Sequence, residues 1–356
     1  MEVDTNDEYF TSYENLEIHE IMLTDTARNE AYRKAITTNS SLFNGKVVLD
    51  VGSGTGILSI FAAQAGASQV FAVEASNLAK LSQEIIKENN FENVIKVFNC
   101  RIEDFQLPES VDKVDIIISE WMGFYLLHEG MLDSVLLARD RFLKPGGLLF
   151  PDRAILYCSP CNLPTHFDNW DNVSGVKMSK YAECLRKQKS SKPEIINIDK
   201  DCLIADDIVI AFLDLSDIST TELNRIDFNE VIIARKSGKF QGLCIWFDVL
   251  FPCGDDNEEE VILSTHPQAQ STHWKQTIIP LPSNIETFEP LDPIAFKLIV
   301  QRNPENSRHY HLLLEILDAM SDDVQHPLPC ECHMTKCILT KAHLANMTDS
   351  NGFENA

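Results

Sequence analysis

The chain has 356 residues, 44% of them hydrophobic, and 54 acidic against 30 basic side chains, a net charge of −24. That length makes two domains or one large one with a full core, and no run approaches the roughly 18 apolar residues that cross a membrane. The charge argues against nucleic acid as a direct partner and suits a cationic one, drawn in by electrostatic steering.

Residues 1–8 are acidic, without an apolar stretch, and read as disordered. They form no signal or transit peptide, so nucleus or cytoplasm is expected, where the ten scattered cysteines stay thiols. Over residues 14–40, Leu16, Ile18, Ile21, Met22, Ala27, Ala31 and Ala35 fall on helical faces. Next comes Val47-Val48-Leu49-Asp50-Val51-Gly52-Ser53-Gly54-Thr55-Gly56-Ile57-Leu58. A strand ends in a glycine turn that opens into a helix, and such a turn lets backbone approach a ligand. Glu74 ends the next apolar run, where a carboxylate takes ribose hydroxyls. A nicotinamide dehydrogenase would satisfy that much. Three details favour S-adenosylmethionine: Gly-x-Gly-x-Gly spacing, Asp50 inside the strand, and Glu103 after the third apolar run, where it can accept from an adenine amino group. Taken alone, Glu103 reads better as an exposed loop acid.

The run Val114-Asp115-Ile116-Ile117-Ile118 reads as a buried parallel strand. Beyond it Glu120 and Glu129 stand nine residues apart, rimmed by Trp121, Met122, Phe124 and Tyr125. This negative, semi-apolar cup suits a guanidinium, whose planar donors pair bidentately with carboxylates. Alternating β and α runs continue to Phe150, a doubly wound α/β half, with Lys144-Pro145-Gly146-Gly147 as a turn. After Pro151 the pattern is mostly β: Ala154–Ser159, Asp207–Leu215, Glu230–Lys236, Leu243–Phe251, Glu260–Ser264, Trp274–Leu281, Phe296–Gln301 and Tyr310–Leu317. Short strands separated by turns predict an antiparallel barrel or sandwich. Residues 162–192 interrupt it with a helical excursion carrying Trp170 and Met178, either an arm or a loop packed on its own barrel. Residues 326–356 hold Cys330, Cys332, His333, Cys337 and His343 in a spacing that matches no zinc pattern. A disordered tail and no metal are expected there.

Tyr9-Phe10-Thr11-Ser12-Tyr13, the glycine motif, the double-glutamate loop and Thr272-His273-Trp274 together resemble the protein arginine N-methyltransferases, from about Tyr9 to about residue 320. The resemblance implies a lid segment over 1–13 and a Rossmann-like S-adenosylmethionine-dependent methyltransferase domain over 14–150. It implies an antiparallel β-barrel substrate domain over 151–325, with a helical dimerisation arm, and hence a homodimer. The wording resembles the asymmetric-dimethylarginine-forming (type I) subclass, acting on Arg-rich proteins such as histone tails and Gly/Arg-rich segments. It further implies that Glu120 and Glu129 are catalytic and that His273 pairs with Asp25. Arg28 would hold the donor's carboxylate, Tyr9, Phe10 and Tyr13 would cover the donor, and Met22 and Met131 would line the pocket. Gly52, Gly54 and Gly56, with Asp50, Glu74 and Glu103, complete the expected donor set, and Tyr13 is also expected to steady Glu120. Ile21, where an acid is common, and Gly130, where a serine is usual, depart from the family pattern. A dimeric scaffold with a lapsed site is the alternative, which the intact glutamates and His273 disfavour.

Overall fold

The structure, a computed structural model, describes residues 13–167, 170–254, 260–283 and 287–350; Tyr9 and Phe10 lie outside these. The helical stretch expected over 14–40 is three helices: α1 (Leu16–Thr24), α2 (Thr26–Thr38) and α3 (Ser40–Phe43). The starts of the first two helices follow from capping. Asn15 accepts from the Glu17 N–H and Asp25 from the Arg28 N–H, satisfying amides that a helix start leaves orphaned.

The α/β half continues as β1 (Val47–Val51), α4 (Ile57–Gln64), β2 (Gln69–Glu74), α5 (Leu78–Glu88) and β3 (Ile95–Asn99). It closes with β4 (Val114–Ile118), α6 (Leu132–Phe142) and β5 (Leu143–Phe150). The strands pair in parallel in the order β3-β2-β1-β4-β5. The chain winds outward from β1 to β3, then returns to the other side of β1. Strand order therefore reverses between β1 and β4, and the crevice at their C-terminal ends is where such sheets bind ligands. Lys144–Gly147 is not a free turn but lies within β5, where its pairing with β4 slips register between Val114 and Ile116.

The second half begins with β6 (Arg153–Cys161), α7 (Pro164–Phe167) and α8 (Ser179–Lys189), followed by β7 (Glu194–Ile196), β8 (Ile208–Asp214) and β9 (Arg225–Ile233). Then come β10 (Gly238–Lys239), β11 (Gly242–Leu250), β12 (Ile262–Ser264), β13 (Gln276–Pro280), β14 (Thr287–Phe288), β15 (Pro293–Arg302) and β16 (Tyr310–Leu317). All these pairings are antiparallel. They form a six-stranded sheet, β7-β13-β11-β6-β8 with β12 on β11, a three-stranded sheet β16-β15-β9, and the pair β10-β14. Each strand expected from the pattern has its counterpart. The additions β7, β10 and β14 span two or three residues, too few to display a period of two.

The halves share one apolar core. Tyr32 and Phe251 meet edge to face at 4.9 Å, and Phe150 and Phe251 lie 6.4 Å apart. Pro151 thus marks a change of topology and no gap in packing. The excursion over 162–192 is built as expected around α7 and α8, with Trp170 packed on Tyr181 at 5.3 Å. Its apolar residues Val173, Val176, Met178 and Tyr181 are exposed. Residues 326–350 differ from the expected disordered tail. They dock on the barrel and end in α9 (Thr335–Ser350), with Cys330, Cys332 and Cys337 buried beside Ile233. Isolated cysteines carry no periodicity, so this docking had no signature in the local sequence.

Candidate active site

A cavity of about 490 Å³ opens at the switch point of the parallel sheet. Its floor is the glycine turn. Gly52 has φ +70°, and a Cβ there would stand 2.2 Å from Met131 Cε. A side chain at 52 would therefore collide with Met131. The Gly54 N–H donates to Glu74 Oε2 at 2.8 Å, while Glu74 Oε1 accepts from the Ser76 N–H at 2.8 Å and hydroxyl at 2.7 Å. Glu74 is thus locked, and Oε2 keeps a lone pair for a further donor. Glu103 lies at the rim, accepting from the Ser134 hydroxyl at 3.0 Å.

The opposite wall is the loop after β4, which carries both glutamates. Tyr125, Leu126 and Glu129 have φ of 42°, 70° and 75°, conformations uncommon for side-chain-bearing residues and paid for by the surrounding packing. His128 Nδ1 meets the Tyr125 hydroxyl at 2.9 Å, and its ring stacks on His309 at 5.1 Å. Burial, with His309 beside it, pushes the His128 imidazolium down to about 4, so a neutral ring buttresses the loop near neutral pH. Gly130, at φ +63°, answers the departure noted above. A Cβ there would stand 3.2 Å from the backbone of Ser307 and Arg308, so glycine brings the turn between β15 and β16 close. From that turn Arg308 donates to the Glu129 carbonyl at 2.9 Å.

Each glutamate is held by a partner. Arg28 Nε donates to Glu120 Oε2 at 3.0 Å, with both side chains nearly excluded from solvent. The Tyr13 hydroxyl donates to Glu129 Oε2 at 2.5 Å. Tyr13 was expected to steady Glu120; it steadies Glu129, and Arg28 holds Glu120. Sequence order could not distinguish these, because both pairings cross more than ninety residues.

His273 and Asp25 come together across 248 residues. Asp25 Oδ2 accepts from the His273 backbone N–H at 2.8 Å and meets Nδ1 at 2.7 Å. Burial alone would raise the Asp25 carboxyl, but the bonds from His273 and from the Arg28 N–H outweigh it and hold it below the usual carboxylate range. An ionised Asp25 places the proton on Nδ1 and leaves Nε2 as the basic nitrogen. Next to it, Trp274 Nε1 donates to the Met122 carbonyl at 2.8 Å, tying the barrel to the glutamate loop.

Met22 and Met131 line the cavity as expected. Asp50 and Gly56 are not among its lining residues. Asp50 is fully buried, accepts from the Ser59 hydroxyl at 2.6 Å, and is pushed up to about 7 by that burial. It anchors the first turns of α4. Gly56 faces α5, since a Cβ would stand 2.7 Å from Ser82 Oγ. Both shape the cradle from behind. Trp274 as a tie and Arg308 as a contact were not foreseen, because their bonds go to backbone carbonyls, which no side-chain motif announces.

Known proteins match this arrangement. Residues 152–317 fit the family model described as the arginine methyltransferase oligomerization subdomain, and residues 36–135 that of ribosomal protein L11 methyltransferase (PrmA). Protein arginine N-methyltransferase 1 of Dictyostelium discoideum is 44% identical over 278 residues, 77% of this chain and 78% of that protein. The solved Trypanosoma brucei PRMT1 enzyme–prozyme heterotetrameric complex with AdoHcy aligns at TM-score 0.76 and 34% identity, over 89% of this chain and 98% of that one. Protein arginine N-methyltransferase 6 of Danio rerio is 40% identical over 308 residues, 85% of this chain and 86% of that protein. Likeness at that level across both halves, converging on one cavity, makes this chain a member of the protein arginine N-methyltransferase family.

Proposed function

We propose that this chain methylates guanidinium nitrogens of arginine in Arg-rich proteins, giving monomethyl and asymmetric dimethylarginine, and that it works as a homodimer. The observation that carries the reading is two carboxylates, Glu120 and Glu129, in the wall of the cavity whose floor is the Gly54–Glu74 cradle. That cradle fits S-adenosylmethionine: Gly52 carries no side chain to collide with Met131 in the cavity lining, and Glu74 presents a ribose acceptor. When bound, the donor supplies an electrophilic methyl on a sulfonium.

The chain's residues solve two problems. A guanidinium beside a sulfonium brings two cations into a partly dry site, which is costly without negative charge. Guanidinium nitrogens are also poor nucleophiles, because the charge is delocalised and the group stays protonated. Glu120 and Glu129 would grip one edge and draw charge toward it, leaving the far nitrogen richer in electrons. Arg28 and Tyr13 fix the two carboxylates, so little reorganisation is needed as charge shifts. His273 Nε2, set by the ionised Asp25, would accept the proton released on alkylation. Met22 and Met131 line the pocket and would limit how the methylated arginine turns, so that a second methyl would go to the same nitrogen. The net charge of −24 would concentrate cationic segments around the mouth.

The test is transfer of a labelled methyl to a Gly/Arg-rich peptide or histone tail, with products resolved by mass spectrometry. Monomethyl and asymmetric dimethylarginine are expected; symmetric dimethylarginine as the main product would remove the subclass. For the dimer, the support is the arm's exposed Val173, Val176, Met178 and Tyr181 and the match to an oligomerization subdomain. Deleting residues 165–185 should give a monomer with weak activity by light scattering and transfer assay. A deleted chain that stays dimeric and active would place the interface elsewhere.

A further inference from the structure

We infer that the C-terminal segment holds a structural zinc ion on His326, Cys330, Cys332 and Cys337. The ligand atoms of these four residues lie within 4.8 Å of one another. His326 Nδ1 stands 3.4 Å from each of the three Sγ atoms. A tetrahedral ion with about 2.3 Å to sulfur and about 2.05 Å to nitrogen puts those atoms about 3.6 Å apart. The side chains are therefore already gathered at the separation a single ion requires.

Ordinary packing does not account for this. Buried cysteines behave as small apolar groups and need no shared polar neighbour. One nitrogen lone pair can accept from one thiol, yet three sulfurs converge on it. The tautomer is fixed from the other side of the ring, where His326 Nε2 meets the Ala319 carbonyl at 3.0 Å and must donate to it. Nδ1 then carries no proton and aims its lone pair at the sulfurs. A backbone carbonyl orienting a ligating histidine is the usual outer shell of such a site. The Cys332 N–H also points at Cys330 Sγ, at 3.5 Å.

Three thiolates, one neutral imidazole and no open position select zinc over the harder cations, and a closed tetrahedron makes the site structural. Binding would form three Zn–S bonds and one Zn–N bond, releasing the three thiol protons to solvent. The spacing His-x3-Cys-x-Cys-x4-Cys matches no common pattern because Cys337 is delivered by the first turn of α9 while the other ligands come from the preceding loop.

The ion would staple the tail to the barrel. Ile233, the last residue of β9, packs against the cysteines, and Arg235 pairs with Glu331 at 2.7 Å. The apolar residues Ile338, Leu339 and Leu344 of α9 are exposed, so packing contributes little to holding the helix. None of the four ligands lines the active-site cavity, so the site is independent of the methyltransferase reading.

The full chain, purified without a metal-affinity tag or chelator, should contain about one zinc per chain by elemental mass spectrometry. Cys332→Ser and His326→Ala should each cut that content at least several-fold, while Cys184→Ser, an exposed cysteine outside the set, leaves it unchanged. Removing zinc from the unaltered protein with a mercurial and a chelator should speed proteolytic cleavage after residue 326. Cobalt substitution should give the intense sulfur-to-metal absorption of a tetrahedral thiolate site. The inference is overturned if the unaltered, reduced protein carries no zinc and takes up neither zinc nor cobalt. It is equally overturned if zinc content is the same in Cys332→Ser, or if peptide mapping finds two of the three cysteines joined as a disulfide.

Discussion

Replacing Glu129 with glutamine should lower methyl transfer about a hundredfold or more, with fold and donor binding retained. Glutamine keeps the shape and one acceptor oxygen, so the Tyr13 hydroxyl can still donate. What is lost is a negative charge facing the substrate cation. Charge-assisted bonds are roughly twice as strong as neutral ones, and a preorganised transition-state contact is typically worth about 2.7–4 kcal/mol. Glu120→Gln should lose as much, with an added cost. Its partner Arg28 is buried, and neutralising one member of a buried pair leaves the other uncompensated. Thermal melting should separate the two variants, with Glu120→Gln the less stable. Turnover is the deciding measurement: near wild-type rates in Glu129→Gln, with the protein folded and donor bound by calorimetry, would assign the carboxylate a structural role.

Glu74→Ala should weaken binding of S-adenosylmethionine by about ten- to a hundredfold, since a bond to a charged group contributes about 1.5–3 kcal/mol. The change removes the ribose acceptor and also strands the Gly54 and Ser76 N–H groups that the carboxylate now satisfies. Glu74→Gln should be milder, because its remaining carbonyl oxygen can still serve one of them. Calorimetric titration of both variants against the unaltered chain gives the comparison. Equal donor affinity in all three would place the ribose elsewhere, and tight NAD binding by the unaltered chain would replace the donor itself.

Much of this protein was legible in its sequence, because local physics leaves local marks. The glycine turn between an apolar run and a helical run fixes strand, cradle and helix start in one stretch of twelve residues. Buried parallel strands write continuous apolar runs, so β1, β2 and β4 were placed by Val47–Val51, Val70–Val73 and Val114–Ile118. Glu74 and Glu120 follow from those placements, since the sheet's ligand side lies at the ends of its strands. Asp25 also carried a local mark, as a helix-capping residue, although the helical stretch expected over 14–40 ran through it.

The tertiary structure decided the pairings. Arg28 with Glu120, Tyr13 with Glu129 and Asp25 with His273 join residues about ninety to 250 positions apart. At such distances the sequence supplies residue types but no geometry. It also decided that Asp50 and Gly56 act from behind the cradle, because a strand or turn residue reveals its periodicity but not which neighbour it faces. The tail shows the same limit most clearly. Three cysteines and a histidine with no recognisable spacing become one cluster only when a loop, a helix turn and the end of β9 meet in space. Periodicity and capping act over a few residues and can be read along the chain, whereas side chains that converge from separate elements are specified only by the packing of those elements.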